Sequence, residues 1–181
     1  MAQQAGRSDT TRRGDLSSRD AITMALVGLM QEKELDKITV TELVQRAGVG
    51  RSSFYRHFST KDDVLLHYID LLFGSPNQYD PESDAKVSDY LLARFRTVKE
   101  NREFFESLER NNRLQLLYQQ LAVNIQINME TFHIKRSTYQ PIFFTSAETG
   151  VLIEWIKNGF PESEEELTQE FMDMLYGNVE W

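Results

Sequence analysis

The side chains best suited to chemistry in this sequence lie close together, between Thr39 and Lys61. They carry guanidinium, hydroxyl, imidazole and ammonium groups, all of which donate hydrogen bonds. Donors of this kind contact phosphate oxygens and the acceptor edges of bases. The segment therefore predicts a DNA-contacting surface. Its candidate contact residues are Thr39, Thr41, Gly50, Arg51, Ser52, Ser53, Tyr55, Arg56, His57 and Lys61.

A short helix must come first in this segment. Thr39 and Glu42 have the spacing of a capping box, in which each side chain satisfies a backbone amide of the other residue. Gly48 stands where the helix has to end, because glycine adopts a left-handed backbone at little cost. Val49 is apolar within the turn and is expected to fill the gap before the next helix. Apolar residues at helical spacing lie between these points: Val40, Leu43, Val44 and Ala47.

A second short helix follows, beginning at Gly50 or Arg51. Phe54 and Phe58 are four residues apart, so they share one helical face and are expected to point inward. The donor side chains lie on the other faces and remain available to a partner. Two short helices joined by a glycine-containing turn form the helix-turn-helix unit.

The segment resembles the N-terminal domain of TetR/AcrR-family transcriptional regulators. The resemblance lies in the turn, 46–50, in the run 55–58 (Tyr-Arg-His-Phe) and in the following Lys61. It covers roughly residues 17–73. Two positions depart from the family pattern, because Gly50 stands where serine is often found and Ser52 where glycine is usual. The first change weakens the helix cap, and the second could alter base contacts.

The resemblance implies a dimeric regulator, most often a repressor, that binds double-stranded operator DNA of palindromic sequence and responds to a small-molecule effector. A helix-turn-helix also occurs in proteins that never touch DNA. The alternative is therefore an all-helical protein-interaction module with a vestigial helix-turn-helix. Salt-dependent retention on random DNA would separate the two, because phosphate contacts release counterions.

Composition limits the remaining function classes. The chain has 181 residues and no cysteine, which excludes disulfides and thiolate metal sites. No apolar run is long enough to span a membrane, and the polar N-terminus lacks the apolar stretch of a secretory signal. A cytoplasmic location without a membrane partner is the expectation.

Charge is divided unevenly along the chain, whose net charge is −8. Residues 1–60 carry nine Lys/Arg and seven Asp/Glu, whereas residues 61–181 carry 11 and 21. The mild positive charge thus accompanies the helix-turn-helix, and local potential matters more for DNA binding than net charge.

Helical periodicity predicts an all-α protein in three parts. Residues 1–16 form a polar arm, residues 17–73 the helix-turn-helix domain, and residues 74–181 a helical regulatory and dimerisation domain. No alternating strand pattern or internal repeat occurs. Later helices are expected over residues 85–99, 101–110, 114–134, 141–157 and 163–176.

The last two predicted helices are too apolar for the surface of a monomer. In the family that this chain resembles, two C-terminal helices of each subunit form the dimer interface. A fully buried helix within one chain is the alternative. The stretch 150–163 also resembles, more weakly, a subgroup that includes activators of dihydroxyacetone utilisation. The candidate interface residues are Phe144, Val151, Leu152, Trp155, Phe171 and Leu175.

Nothing in the sequence indicates an enzyme. The three histidines show no metal-ligand spacing, and no phosphate-binding loop, dinucleotide fingerprint or nucleophile elbow occurs. No metal or cofactor is expected. The aromatic side chains of the second part of the chain suit the lining of an effector cavity between helices. At helical spacing such side chains are more often plain core. Candidate effector residues are Phe95, Phe105, Tyr118, Asn128 and Phe143, with Asn124 and His133 as further polar candidates.

Overall fold

The computed structural model describes residues 17–74, 87–131 and 137–177. Within these ranges the chain forms α-helices, one short 3₁₀ helix (Leu35–Lys37) and no strand, which confirms the predicted all-α class. The helices are α1 (Ser18–Glu32), α2 (Val40–Arg46), α3 (Arg51–His57), α4 (Lys61–Phe73), α5 (Val87–Glu100), α6 (Arg102–Arg110), α7 (Gln115–Thr131), α8 (Gln140–Lys157) and α9 (Glu164–Tyr176).

Polar caps fix the starts of several helices. Capping boxes begin α4, at Thr60 and Asp63, and α9, at Ser163 and Glu166. Thr39 caps α2 by accepting from the amide of Glu42 at 3.2 Å. The Glu42 carboxylate also pairs with Lys33 Nζ at 2.5 Å, and this bond, together with the backbone amide of Thr39, holds the pKa of Glu42 below its ordinary value.

Helices α2, α3 and α4 pack around α1. Its buried residues, among them Ile22 and Leu26, face α2, α3 and α4. Leu43, Phe54 and Leu65 complete this part of the core from those three helices. The buried face of α1 therefore supports the helix-turn-helix from behind.

The later helices extend the same core. α5 packs on α9, and α7 on α8, while α6 and α7 also contact α1 and α4 respectively. One continuous cluster of buried apolar residues results. The proposed domain boundary coincides with the end of α4 at Phe73, and the division into domains stays a prediction. Residues 1–16, the predicted arm, lie outside the described residues.

Three residues assigned to a dimer interface belong instead to the core of the single chain. Leu152, Trp155 and Phe171 are buried. The Trp155 ring lies 6.0 Å from that of Phe95, and the Phe171 ring lies 6.4 Å from the same phenyl. The sequence misassigned them because an apolar helix has the same pattern whether its own chain or a second chain covers it. Phe144, Val151 and Leu175 are partly exposed.

Candidate nucleic-acid interface

A tight turn sets the angle between α2 and α3. Gly48 has φ +65°, and a Cβ built there would meet nothing within 4 Å. The glycine is needed for its backbone conformation and not for space. The amide of Val49 donates to the Val44 carbonyl at 3.0 Å, and the Val49 side chain packs against the core, as predicted.

The inward face of α3 is aromatic. Phe54 and Phe58 are buried, with ring centroids 6.1 Å apart, which confirms their predicted orientation. The Arg19 guanidinium lies 5.7 Å from the Phe58 ring centroid, and the His67 ring lies 5.9 Å from it. Contacts from α1 and α4 therefore anchor α3. This anchoring also determines the direction in which the opposite face of α3 points.

The donor residues lie on the outward side. Most of the predicted DNA-contacting set is exposed, while Ser53 and Lys61 are partly buried. The exposed members are Thr39, Thr41, Gly50, Arg51, Ser52, Tyr55, Arg56 and His57. The structure thus gathers the donors of α3 on the side away from Phe54.

Two of the guanidinium groups are held along the helix. Arg51 Nη2 donates to Tyr55 Oη at 3.3 Å, and its guanidinium carbon lies 5.7 Å from the Tyr55 ring centroid. Arg56 Nη2 donates to Ser53 Oγ at 3.4 Å. These contacts narrow the range of rotamers, so less conformational entropy is lost when a partner binds.

Lys61 has a structural role that the sequence did not reveal. Its ammonium donates to the carbonyls of Leu35 and Ile38 at 2.5 and 2.8 Å, although the sequence placed it among the candidate DNA contacts. Burial lowers the pKa of Lys61, and the Asp36 and Asp62 carboxylates oppose that shift. The lysine fastens the 3₁₀ helix to the start of α4.

The turn after α6 is joined to the same 3₁₀ helix. Asn111 Oδ1 accepts from the amide of Leu35 at 2.7 Å. Arg113 Nε lies 3.0 Å from Asp62 Oδ1, and its Nη2 lies 3.8 Å from Asp36 Oδ1. The helix-turn-helix is thereby connected to the later helices through polar contacts as well as through the core.

The predicted effector residues do not converge on one site. Phe95 and Phe105 are fully buried among other aromatic rings, as core residues are. Tyr118 and Phe143 are exposed, so their assignment to an interior cavity is wrong. The side chain of Asn128 and all of His133 lie outside the described residues.

A buried ion pair was missed. Arg94 of α5 and Glu148 of α8 lie in the interior, with Nε 3.0 Å from Oε1. A signal did exist in the sequence, because Arg94 falls between Leu91 and Phe95 on a buried helical face. Glu148 likewise lies on the buried face of α8, one turn before Leu152.

Other kinds of site are absent from the described part of the chain. Residues 17–74, 87–131 and 137–177 contain no group of three or more His, Asp or Glu placed to hold a metal ion. No helix in these ranges is long and apolar enough to cross a membrane.

Comparison with protein families accounts for this arrangement. Residues 22–68 match the model described as bacterial regulatory proteins of the tetR family, and residues 86–177 match a transcriptional regulator C-terminal region. The chain belongs to the TetR family. It is a DNA-binding transcriptional regulator and not an enzyme.

Relatives along the whole length support this assignment. The transcriptional repressor KstR2 of Mycolicibacterium smegmatis is 22% identical over 195 residues, covering 90% of this chain and 91% of the repressor. The solved dihydroxyacetone kinase operon activator DhaS has a TM-score of 0.62 at 19% identity, covering 91% of this chain and 97% of that one. Lin0861 from Listeria innocua reaches a TM-score of 0.72 at 13% identity, with 93% and 97% covered. The two structural likenesses establish the fold.

Proposed function

We propose that this regulator is a ligand-responsive dimeric repressor that binds a palindromic operator, with α3 in the major groove. The observation that carries the proposal is the exposed row of donors on α3, opposite the buried Phe54 and Phe58. A helix anchored on one aromatic face and lined with donors on the other suits groove binding.

The two ends of α3 have different tasks in this proposal. Arg51 and Ser52 open the helix, and N-terminal residues of a recognition helix reach base edges most directly. Tyr55, Arg56 and His57 follow, where the chain leaves the groove and crosses the backbone. Their donors suit phosphate oxygens, which position the protein without specifying sequence. Thr39 and Thr41, exposed at the start of α2, suit the same task.

Dimerisation is supported by exposed apolar side chains on the last two helices. Phe143, near the start of α8, is 60% exposed, and Met174, near the end of α9, is 44% exposed. Ile142 and Tyr176, on the same two helices, are also exposed. Exposed apolar side chains that form one patch mark association surfaces, and we infer that those of α8 and α9 do so. The proposed interface consists of these four residues with Phe144, Val151 and Leu175.

Ligand response requires a physical connection between the regulatory helices and the DNA-reading helices. Gln120 of α7 donates to Asp70 of α4 at 2.7 Å, and Arg113 pairs with Asp62 at the other end of α4. A ligand that prefers one position of α4 shifts the population toward it by its differential affinity alone. Repression is proposed because the relative KstR2 is named a repressor. Activation is the alternative, since the structural neighbour DhaS is named an activator.

Site selection from a random DNA library tests the proposal. We expect inverted half-sites about one helical turn, roughly 34–36 Å, apart. Fluorescence anisotropy on the selected site should give an affinity that falls steeply with salt, and light scattering should give the mass of two chains. Binding without salt dependence would favour a protein-interaction module. Selection of a single half-site, or a mass of one chain, would contradict the dimeric reading of the operator.

A further inference from the structure

Two opposite charges lie buried among the regulatory helices. Arg94 of α5 is 5% exposed and Glu148 of α8 is 2% exposed. α5 packs closely on α9, and α8 on α7, whereas α5 and α8 make fewer close backbone approaches to each other. The Arg94–Glu148 pair therefore bridges helices whose backbones stay farther apart.

Aromatic rings surround the guanidinium. The guanidinium carbon of Arg94 lies 4.6 Å from the Phe73 ring centroid and 4.8 Å from that of Tyr90. Arg94 Nη2 also donates to Tyr90 Oη. Burial raises the pKa of Tyr90 to about 12, so its hydroxyl stays neutral. The site thus combines a fixed charge with flat apolar walls.

Polar atoms at the pair are left without hydrogen-bond partners. Arg94 Nη1 is buried and unpartnered, and so is Glu148 Oε1, because no donor is aligned with it despite the short distance to Nε. Thr149 Oγ1, on the next residue of α8, is also buried and unpartnered. Such atoms are rare in native proteins and indicate a missing partner, either a water or a ligand.

We propose that the Arg94–Glu148 pair is the recognition centre of the effector site, and that it takes a small uncharged molecule carrying a hydroxyl or carboxamide group. A group of this kind accepts from Arg94 Nη1 and donates to Glu148 Oε1 at the same time. This inference rests on the proposed ligand-responsive function and adds the chemistry of the ligand.

The charges of the pair decide against an ionic effector. Arg94 and Glu148 neutralise each other, so the site has no net charge to offer an ion. An anion would face the buried Glu148 carboxylate, and a cation would face the Arg94 guanidinium, in surroundings where desolvation of an ion is costly. Burial raises the pKa of Glu148, and Arg94 opposes that rise.

The position of the site suggests how occupancy reaches the DNA. Phe73, against which Arg94 stacks, is the last residue of α4. The first residues of the same helix, Lys61 and Asp62, hold the 3₁₀ helix and Arg113. A ligand that draws Arg94 toward itself changes the packing at one end of α4, and the helix carries the change to the helix-turn-helix.

Four probes of similar size test the ligand class on the full chain without DNA. Benzamide and benzyl alcohol are neutral, benzoate is an anion and benzylamine is a cation. The readout is the Arg94 Nε–H resonance in ¹H–¹⁵N spectra, with thermal unfolding as a second measurement. We expect saturable shifts and a raised Tm with the two neutral probes only.

Matched variants identify the site. The double variant Arg94→Met with Glu148→Met removes both charges, so no unpaired charge stays buried, and proteins tolerate such an apolar replacement well. This variant should weaken binding of the neutral probes at least tenfold. Glu148→Gln, which leaves the size of the side chain unchanged, should weaken it as much. Arg96→Met with Glu165→Met removes the exposed ion pair on α5 and should leave probe binding unchanged.

Three results would overturn the proposal: no saturable response to either neutral probe, equal binding of the charged probes, or unchanged probe binding in both Arg94–Glu148 variants. The first would mean that water satisfies the buried atoms. Each leaves salt-dependent operator binding untouched. Failure of the site and failure of the DNA-reading function are therefore distinguishable, because the two are measured in separate experiments.

Discussion

In our proposal, Arg51 contributes most to the recognition of the base sequence of the operator. It opens α3, it is exposed, and its guanidinium is steadied by Tyr55 one turn later. Arginine at such a position binds the O6 and N7 acceptors of guanine in a bidentate manner. The Tyr55 hydroxyl then has two tasks, holding Arg51 and donating to the backbone of the DNA.

Arg51→Ala should weaken binding to the selected operator by roughly 1–3 kcal/mol and relax the preference at one base pair. Titrations on the operator and on scrambled DNA measure both effects. Arg96→Ala, which removes an exposed cation of α5 paired with Glu165 of α9, serves as the control and should change neither. An equal loss on both DNAs would make Arg51 a phosphate contact.

Lys61 illustrates a side chain whose role cannot be read from its own neighbourhood. The spacing of Phe54 and Phe58 was enough to orient α3, because both residues lie on one helix. The partners of Lys61, in contrast, are carbonyls 23 and 26 residues earlier in the chain. No local pattern indicates that contact, so the sequence predicted a contact with DNA instead.

Lys61→Ala should lower the free energy of unfolding by about 1–3 kcal/mol, because two carbonyls lose a charged donor. The salt dependence of DNA binding should stay as in the wild type. Urea denaturation and anisotropy at several salt concentrations measure the two quantities. Lys37→Ala removes an exposed lysine whose ion pair with Glu34 is also exposed, and should have little effect. A salt slope reduced by about one unit in Lys61→Ala would restore the phosphate contact.

At the scale of elements, caps were the most readable part of the sequence. The starts of α1, α4 and α9 follow Ser17, Thr60 and Ser163, and each of these residues was visible as a polar residue before an apolar periodic run. The 3₁₀ helix Leu35–Lys37 was missed because it has three residues and no side-chain cap. Its position is set by Lys61 and Asn111, which lie far away in the sequence.

Ser163→Ala should destabilise the protein by about 0.5–2 kcal/mol through loss of the α9 cap. Urea denaturation measures the change. Ser146→Ala, at an exposed position inside α8, is the control and should be neutral or slightly stabilising, because alanine is the better helix former. Equal effects of the two substitutions would show that the cap does not stabilise α9.

The same cap makes the free energy of unfolding depend on pH in the acid range. The Ser163 backbone amide, together with its hydroxyl, holds the pKa of Glu166 below its ordinary value of 4.5. A lowered folded-state pKa contributes stability that is present above pH 4.5 and is lost as the pH falls through the folded value. Glu166→Gln should therefore reduce the fall in stability below pH 4.5, as followed by urea denaturation at several pH values. An acid limb identical to that of the wild type would contradict this contribution.

At the scale of the whole molecule, the sequence indicated that α8 and α9 are unusually apolar. It did not indicate which of their faces pack against the same chain and which are left for a second chain. Trp155 and Phe171 turned out to pack on Phe95 of the same chain. Phe143, which the sequence assigned to a cavity, is on the outside. Periodicity fixes which residues share a helical face, whereas the covering of that face depends on how the other helices are arranged around it.

The exposed apolar side chains of α8 and α9 are the proposed contact between the two subunits. Phe143→Glu combined with Met174→Glu should convert the dimer to a monomer, because each interface of a two-fold dimer then contains four buried carboxylates. Operator affinity should collapse, since the second half-site is no longer supplied at high effective concentration. Val123→Glu, at a residue of α7 that is 52% exposed, introduces one carboxylate per chain at a position outside the proposed interface and should leave mass and affinity unchanged. Light scattering and anisotropy measure both variants. A dimer that persists in the double variant, with unchanged helix content, would place the subunit contact on another face of the molecule.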